Sequence, residues 1–362
     1  MAERTLACVV GARPNFIKMA AILNEIGKRT HLRFVLIHTG QHYSADMSQT
    51  FFEQLELPEP HVNLGVGGGT HTQQTADLMR QLEPLLVNLQ PALALVVGDV
   101  NSTVATALVA AKLGIPIAHV EAGLRSFDRR MPEEINRVVT DVLSDYLFAS
   151  EPSGVRNLKN EGIPDERVFL VGNVMIDTLL RFREQARKSE ILATMAVEPK
   201  SYTVATLHRP SNVDDPRQLQ ALLSMLQCVS ERVPVIFPVH PRTRKIIDSS
   251  GLNVDGIRLC APLGYLDFMH LLSEARLVLT DSGGIQEETT ILQVPCLTLR
   301  ENTERPSTID QGTNKLVGAN PSQILPKIWE TLDDPPRHGR VPDLWDGKAA
   351  ARILDVVDAA LI

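Results

Sequence analysis

The sequence predicts two successive Rossmann-like α/β domains, and three observations predict them. Short β-rich runs alternate with longer helical patterns along the whole chain, the signature of parallel sheets covered by helices. The alternation pauses once, over a polar, helix-prone stretch from Asp177 to Lys200, and then starts afresh. The 362 residues, 44% of them hydrophobic, suffice for two cores at roughly 100–200 residues per domain. Two domains also invite a ligand cleft. The expected division is 1–176 for the first domain and 177–346 for the second, with 347–362 packing back on the first.

In chain order, Thr5–Val10, Leu32–Ile37, Leu93–Val97, Ile115–Val120 and Tyr146–Ala149 read as the strands of the first domain. Phe16–Lys28, Thr72–Leu89, Ser102–Leu113 and Glu133–Leu143 carry helical periodicity between them. Gly65–Gly69 neither follows a strand nor has the spacing of a nucleotide fingerprint, so it reads as a mobile loop. In the second domain the strands are Tyr202–Thr206, Val235–Val239, Arg258–Leu259, Leu277–Thr280 and Cys296–Leu299. Gly347–Leu361 is a terminal helix with no following strand.

Composition excludes several classes of function. With 36 Lys+Arg against 43 Asp+Glu the net charge is −7, which disfavours a nucleic-acid partner. Cys8, Cys228, Cys260 and Cys296 form no close pair, and each stands in an apolar stretch, so they are expected as buried thiols. No apolar run approaches the ~20 residues of a membrane span, and no signal-peptide pattern opens the chain, so a cytoplasmic protein without a membrane partner is expected.

In open parallel sheets, ligands gather beyond the carboxyl ends of the strands, and the polar residues of this chain collect there. After the first strand comes Gly11-Ala12-Arg13-Pro14-Asn15-Phe16-Ile17-Lys18, in which Arg13 and Lys18 are candidate phosphate partners. The dinucleotide glycine spacing is missing, so no nicotinamide cofactor is indicated. Leu93–Val97 runs into Gly98-Asp99, and Ile115–Val120 into Glu121, which sets two carboxylates at equivalent strand ends. Glu133 and Glu134 follow Pro132 at a helix start, where acidic residues also serve as plain dipole partners. Asp99 has a competing reading as an N-cap. Clustered carboxylates shift one another's pKa, which suits one as acid and another as base.

The second half repeats the arrangement with cations. Tyr202–Thr206 leads into His208-Arg209 and Val235–Val239 into His240-Pro241-Arg242, groups that donate to anions. The two histidines lack nearby ligands in metal spacing, so no metal is expected. Thr280-Asp281-Ser282-Gly283-Gly284 ends a strand and opens a helix, a phosphate-binding turn. Glu288, farther along that helix, suits ribose hydroxyls, and Arg305 in Thr303-Glu304-Arg305-Pro306 adds a guanidinium after the next strand.

Taken together, Gly11 to Lys18, Gly98-Asp99, His119 to Arg125, Pro132 to Arg137, Asp281 to Glu288 and Thr303 to Pro306 make the chain resemble the non-hydrolysing UDP-N-acetylglucosamine 2-epimerases over almost its whole length. The resemblance implies a glycosyltransferase-B-type architecture, two Rossmann-like domains facing a cleft, usually in a homodimer, with a UDP-sugar as substrate and no cofactor. It implies anti elimination of UDP to 2-acetamidoglucal, followed by re-addition. It puts Asp99, Glu121, Glu133 and His208 in the catalytic group with Lys18 beside them. Arg13, Ser282, Gly283, Gly284, Glu288 and Arg305 fall on UDP-binding positions, Phe268 near the uracil, and Arg209 and His240 with the substrate-binding set. Which carboxylate takes the proton stays open. The family's allosteric stretch reads Gln41-His42-Tyr43-Ser44-Ala45 here, with Gly69-Thr70-His71 where its arginine is expected, so allosteric activation is in doubt.

Three alternatives stand beside this reading. The same mechanism on UDP-2,3-diacetamido-2,3-dideoxyglucuronate fits Arg125-Ser126-Phe127 and Met131 to Arg137, although the intact Thr303 to Pro306 favours the simpler sugar. A hydrolysing epimerase shares the elimination step. A glycosyltransferase shares the nucleotide site but needs no base for carbon 2, so the three carboxylates count against it.

Overall fold

The computed structural model describes residues 3–40, 52–334 and 339–361. The chain divides into two units, Met1–Arg181 with Asp343–Ile362, and Phe182–Pro342. The first holds a parallel sheet of seven strands in the order β3-β2-β1-β4-β5-β6-β7. They are β1 (Arg4–Val10), β2 (Leu32–His38), β3 (Val62–Asn63), β4 (Leu93–Val97), β5 (Ile117–Val120), β6 (Tyr146–Ala149) and β7 (Val168–Leu170). The reading from sequence lacks β3 and β7, which are two and three residues long and carry no periodicity of their own.

Burial on both faces explains the near-continuous apolar runs of the central strands. β4 is buried throughout, and Cys8 of β1 lies between Leu36 and Leu95 in register. Each leucine so enclosed contributes roughly 1.5–3 kcal/mol of transfer free energy. The strand order reverses between β1 and β4, the switch point where crevices open in such sheets. Gly11 to Lys18 and Gly98-Asp99 leave the sheet on its two sides.

The terminal helix Ala349–Leu361 belongs to this unit. Its Ile353, Leu354 and Val357 are fully buried, and Asp355 and Asp358 reach Arg29 and His31 beyond the helix Arg13–Ile26. Asp177 caps it, accepting the N–H groups of Ala349 at 3.1 Å and Ala350 at 2.7 Å.

The second unit repeats the pattern with six parallel strands ordered β10-β9-β8-β11-β12-β13. These are β8 (Thr203–Thr206), β9 (Val235–Pro238), β10 (Arg258–Cys260), β11 (Leu277–Thr280), β12 (Cys296–Thr298) and the unforeseen β13 (Asn314–Leu316). Its switch point lies between β8 and β11, so the His208 and Asp281 turns flank it.

The expectation of four buried thiols fails at two positions, for Cys260 is half-buried and Cys228 lies at the surface. Cys228 is exposed, because Leu222, Leu226 and Val229 set the buried stripe of the helix Pro216–Ser230 and residue 228 falls off it. The Gly65–Gly69 stretch is anchored at Val66, which is buried and donates its N–H to the Thr39 carbonyl.

Candidate active site

In the first unit the exits of β1, β4 and β5 are tied to one another. Asn15 accepts the N–H groups of Gly11 and Ala12 and donates to the Val97 carbonyl at 3.0 Å, which fastens the start of the helix Arg13–Ile26 to the end of β4. One turn on, the Lys18 ammonium reaches across to Glu121, and both side chains are buried. Arg13 opens the same helix, half-buried.

Gly98 lies beneath this ion pair. A Cβ there would sit 3.3 Å from both Lys18 Nζ and Glu121 Oε2, and its φ of +68° suits glycine. Glu121 itself takes φ 75° without being glycine, a strain of about 1–3 kcal/mol of the kind that persists where surrounding contacts over-determine it. Its N–H and that of Ala122 both donate to the Phe148 carbonyl, which holds the turn.

Asp99 is not the helix cap, because Val100 takes that position. Its carboxylate pairs with Arg137 and its carbonyl accepts from Asn136 at 2.9 Å, two tethers from the helix Pro132–Leu143 that also carries Glu133. The two adjacent glutamates divide their work. Glu134 is consumed by structure: it accepts from the Ser126 and Phe127 N–H groups, each at 2.9 Å, and pairs with Arg137. Burial pushes its carboxyl up, and these donors outweigh that and hold it below the usual range. Glu133 is half-buried at the helix start.

In the second unit, buried Asp281 organises the exits of β8 and β11. It accepts the backbone N–H groups of His208 and Arg209, each at 3.0 Å, and the Asn212 amide at 3.1 Å, and pairs with His208 Nδ1 at 2.8 Å. Burial raises its carboxyl, but the His208 ring and these donors hold it below normal. His208 Nε2 is thereby turned away from Asp281. His240 caps the helix Pro241–Ser250, and its ring centroid lies 6.0 Å from that of His208.

Ser282 is the N-cap of the helix Gly283–Leu292 but makes no side-chain cap bond. A Cβ at Gly283 would overlap the Arg305 guanidinium, so glycine is what lets that cation approach the helix N-terminus. Arg305 pairs with Glu304 at 2.6 Å and Glu287 at 2.9 Å. Glu304, fully enclosed, also meets Arg300 at 2.7 Å and Arg209 at 3.7 Å. Burial pushes its carboxyl up, and the three guanidiniums hold it well below the usual range. Glu288 is buried on the same helix as Gly283 and Gly284. Phe268 is half-buried on the helix Tyr265–Ser273 and joins none of these ion pairs.

Arg13, Lys18, Asp99, Glu121 and Glu133 thus collect at one edge of the first sheet. His208, Arg209, His240, Ser282, Gly283, Gly284, Glu288 and Arg305 collect at the corresponding edge of the second. Gln41 and His42 lie outside the described residues. Sequence reasoning assigned no role to Arg137, Asp281 or Glu304, although all three stand inside motifs it singled out. Among the described residues no group of three His, Cys, Asp or Glu is placed to hold a metal ion, and no helix is long and apolar enough to cross a membrane.

Residues 24–358 match the family model for UDP-N-acetylglucosamine 2-epimerase. A Methanococcus maripaludis protein named UDP-N-acetylglucosamine 2-epimerase homolog is 46% identical over 89% of this chain and 91% of its own. A Pseudomonas aeruginosa UDP-2,3-diacetamido-2,3-dideoxy-D-glucuronate 2-epimerase is 41% identical, over 96% of this chain and 97% of its own. The crystal structure of the Methanocaldococcus jannaschii UDP-GlcNAc 2-epimerase in complex with UDP-GlcNAc and UDP superposes with a TM-score of 0.93 at 42% identity, covering 98% of this chain and 99% of that one. Likeness to a Polygonum tinctorium UDP-glucosyltransferase, with a TM-score of 0.58 at 13% identity, concerns the glycosyltransferase-B-type fold alone. On this evidence the chain belongs to the UDP-N-acetylglucosamine 2-epimerase family.

Proposed function

We propose that the chain interconverts UDP-N-acetylglucosamine and UDP-N-acetylmannosamine. The observation that carries the reading is the placing of Asp99 and Glu121 on adjacent strand exits, each held by a buried cation. Asp99 and Glu121 transfer the carbon-2 proton, and Glu133 completes the acid–base set. As that proton leaves, the bond from carbon 1 to the diphosphate oxygen breaks, giving 2-acetamidoglucal and UDP. Protonation of carbon 2 on the opposite face and return of UDP to carbon 1 complete the inversion.

In the second unit the Gly283-Gly284 turn and Arg305 take the diphosphate, where helix N–H groups and a guanidinium both favour oxyanions. His208, its Nδ1 proton held by Asp281, presents Nε2 to the leaving group. Arg13, Arg209 and His240 add cationic contacts, Glu288 takes the ribose, and Phe268 lies against the uracil. The family resemblance adds the expectation of a homodimer, which light scattering during gel filtration tests.

Proton NMR of the chain with UDP-N-acetylglucosamine in deuterated water tests the reading. Conversion to the manno epimer with deuterium at carbon 2 is the expected result. Free sugar with UDP signals the hydrolysing reaction instead. The 41% identity to the diacetamido-glucuronate epimerase supports a second reading, which is adopted if only that sugar turns over.

A further inference from the structure

Gln286 stands in the helix Gly283–Leu292 between the glycine turn and Glu288, fully buried, and the reaction above gives it no part. Its amide has three partners. Nε2 lies 3.2 Å from the carbonyl oxygen of Ser282, and Oε1 lies 2.7 Å from Thr303 Oγ1 and 3.1 Å from Asn314 Nδ2. A carbonyl oxygen only accepts, so the NH₂ faces Ser282, and the amide oxygen receives the Thr303 hydroxyl proton and an Asn314 hydrogen.

From there the hold passes to Arg305 by two routes. Thr303 Oγ1, its proton given to Gln286, accepts the backbone N–H of Arg305 at 3.1 Å. Asn314 also donates to Thr308 Oγ1 at 3.1 Å, and that hydroxyl donates to the Arg305 carbonyl at 2.8 Å. Asn314 is itself fixed to β12 by Thr298, whose hydroxyl donates to its Oδ1 at 2.6 Å. The backbone of Arg305 is thus gripped at both its N–H and its C=O.

The approach being held is a close one, since a Cβ at Gly283 would overlap the Arg305 guanidinium. Glu304 and Glu287 fix where that guanidinium points. The Gln286 network fixes where its backbone stands relative to the turn. An uncharged amide suits this work, because it offers a donor on the Ser282 side and an acceptor on the Thr303 side.

We propose that Gln286 is a positioning residue that sets the spacing between the Ser282–Gly284 turn and Arg305, with Thr303 carrying the hold to the arginine backbone. It acts through those two elements on the affinity for the diphosphate. The inference rests on the reading that the turn and Arg305 take that group.

Calorimetric titration of the full chain with UDP and, separately, with uridine tests it. Gln286→Leu removes the amide from the core. Thr303→Val, at a half-buried position, removes only the hydroxyl, and it decides the matter if the first variant does not fold. In both, the Kd for UDP should rise roughly 10-fold, the lower end of what a hydrogen bond to a charged group contributes. Uridine, with no phosphate to meet Arg305, should bind both variants as it binds wild type. Thr303→Ser keeps the hydroxyl and should restore the affinity for UDP. A Kd for UDP within about twofold of wild type in Thr303→Val, well short of one such bond, overturns the inference. Equal loss of UDP and uridine, or a serine variant as weak as the valine one, overturns it as well. A wild-type chain that fails to bind UDP sinks the diphosphate reading, and this inference with it; normal UDP binding by every variant sinks the inference alone.

Discussion

Replacing Asp281 with asparagine keeps shape and removes the charge beside His208. Its Oδ2 accepts from the backbone N–H groups of His208 and Arg209 and from Asn212, so an amide group turned to that side would face three donors. The asparagine therefore keeps its oxygen there and turns its NH₂ toward His208 Nδ1, which sits 2.8 Å from Oδ1 in the wild type. Nδ1 then accepts instead of donating, and the ring loses the negative partner that stabilises its charged form. A hydrogen bond to a charged group contributes about 1.5–3 kcal/mol, which converts to about 10- to 150-fold in rate at about 1.4 kcal/mol per decade. Turnover of UDP-N-acetylglucosamine should fall by that factor, with UDP affinity by calorimetry largely kept, because Arg305 and the Gly283 turn are untouched. A variant whose kcat stays within about twofold of wild type, well short of the bond's energy, refutes the orienting role of Asp281.

Asp99→Asn should lower kcat by roughly 10²–10⁴-fold, the ordinary contribution of a placed acid or base, with UDP binding retained; near-normal turnover removes Asp99 from the mechanism. Gly98→Ala forces an L-residue to φ +68° with its Cβ 3.3 Å from Glu121 and Lys18, which costs roughly 1–2 kcal/mol, and both Tm and kcat should drop. Asp141, Asp281 and Glu304 are all held below the ordinary carboxylate range in the folded chain. Their stabilisation is complete above the unfolded carboxylate range of about 3.9–4.3 and is lost as pH falls through the folded values. Acid unfolding followed by circular dichroism should accordingly be shallower in Glu304→Gln than in wild type, although that variant is less stable at neutral pH. Cys228 should react rapidly with a thiol reagent in the native chain, whereas Cys8 and Cys296, each pushed up to about 12 by burial, should wait for unfolding.

The central strands were legible because a buried parallel strand is a short apolar run, and the turns after them because glycine and charge are packed into a few residues there. β3, β7 and β13 escaped because two or three residues carry no period, and their neighbours alone make them strands. Cys228 was misread because an apolar neighbourhood in sequence says nothing about phase on a helix. Its stripe is fixed by Leu222, Leu226 and Val229, and the thiol lies between those positions.

The candidate site was legible residue by residue but not pair by pair. Glu133 and Glu134 are indistinguishable as letters, since both are acids in a first turn. What separates them is the loop at Ser126 and Phe127, whose N–H groups claim Glu134 and leave Glu133 out of that clamp. Lys18 and Glu121 are 103 residues apart, Asp281 and the His208 backbone 73, so no local pattern joins them. The motifs carry the side chains proposed to meet substrate, while the groups that fix those side chains are supplied across strands. A substitution that spares every motif letter in contact with UDP can therefore still abolish turnover, provided it strikes a brace such as Arg137.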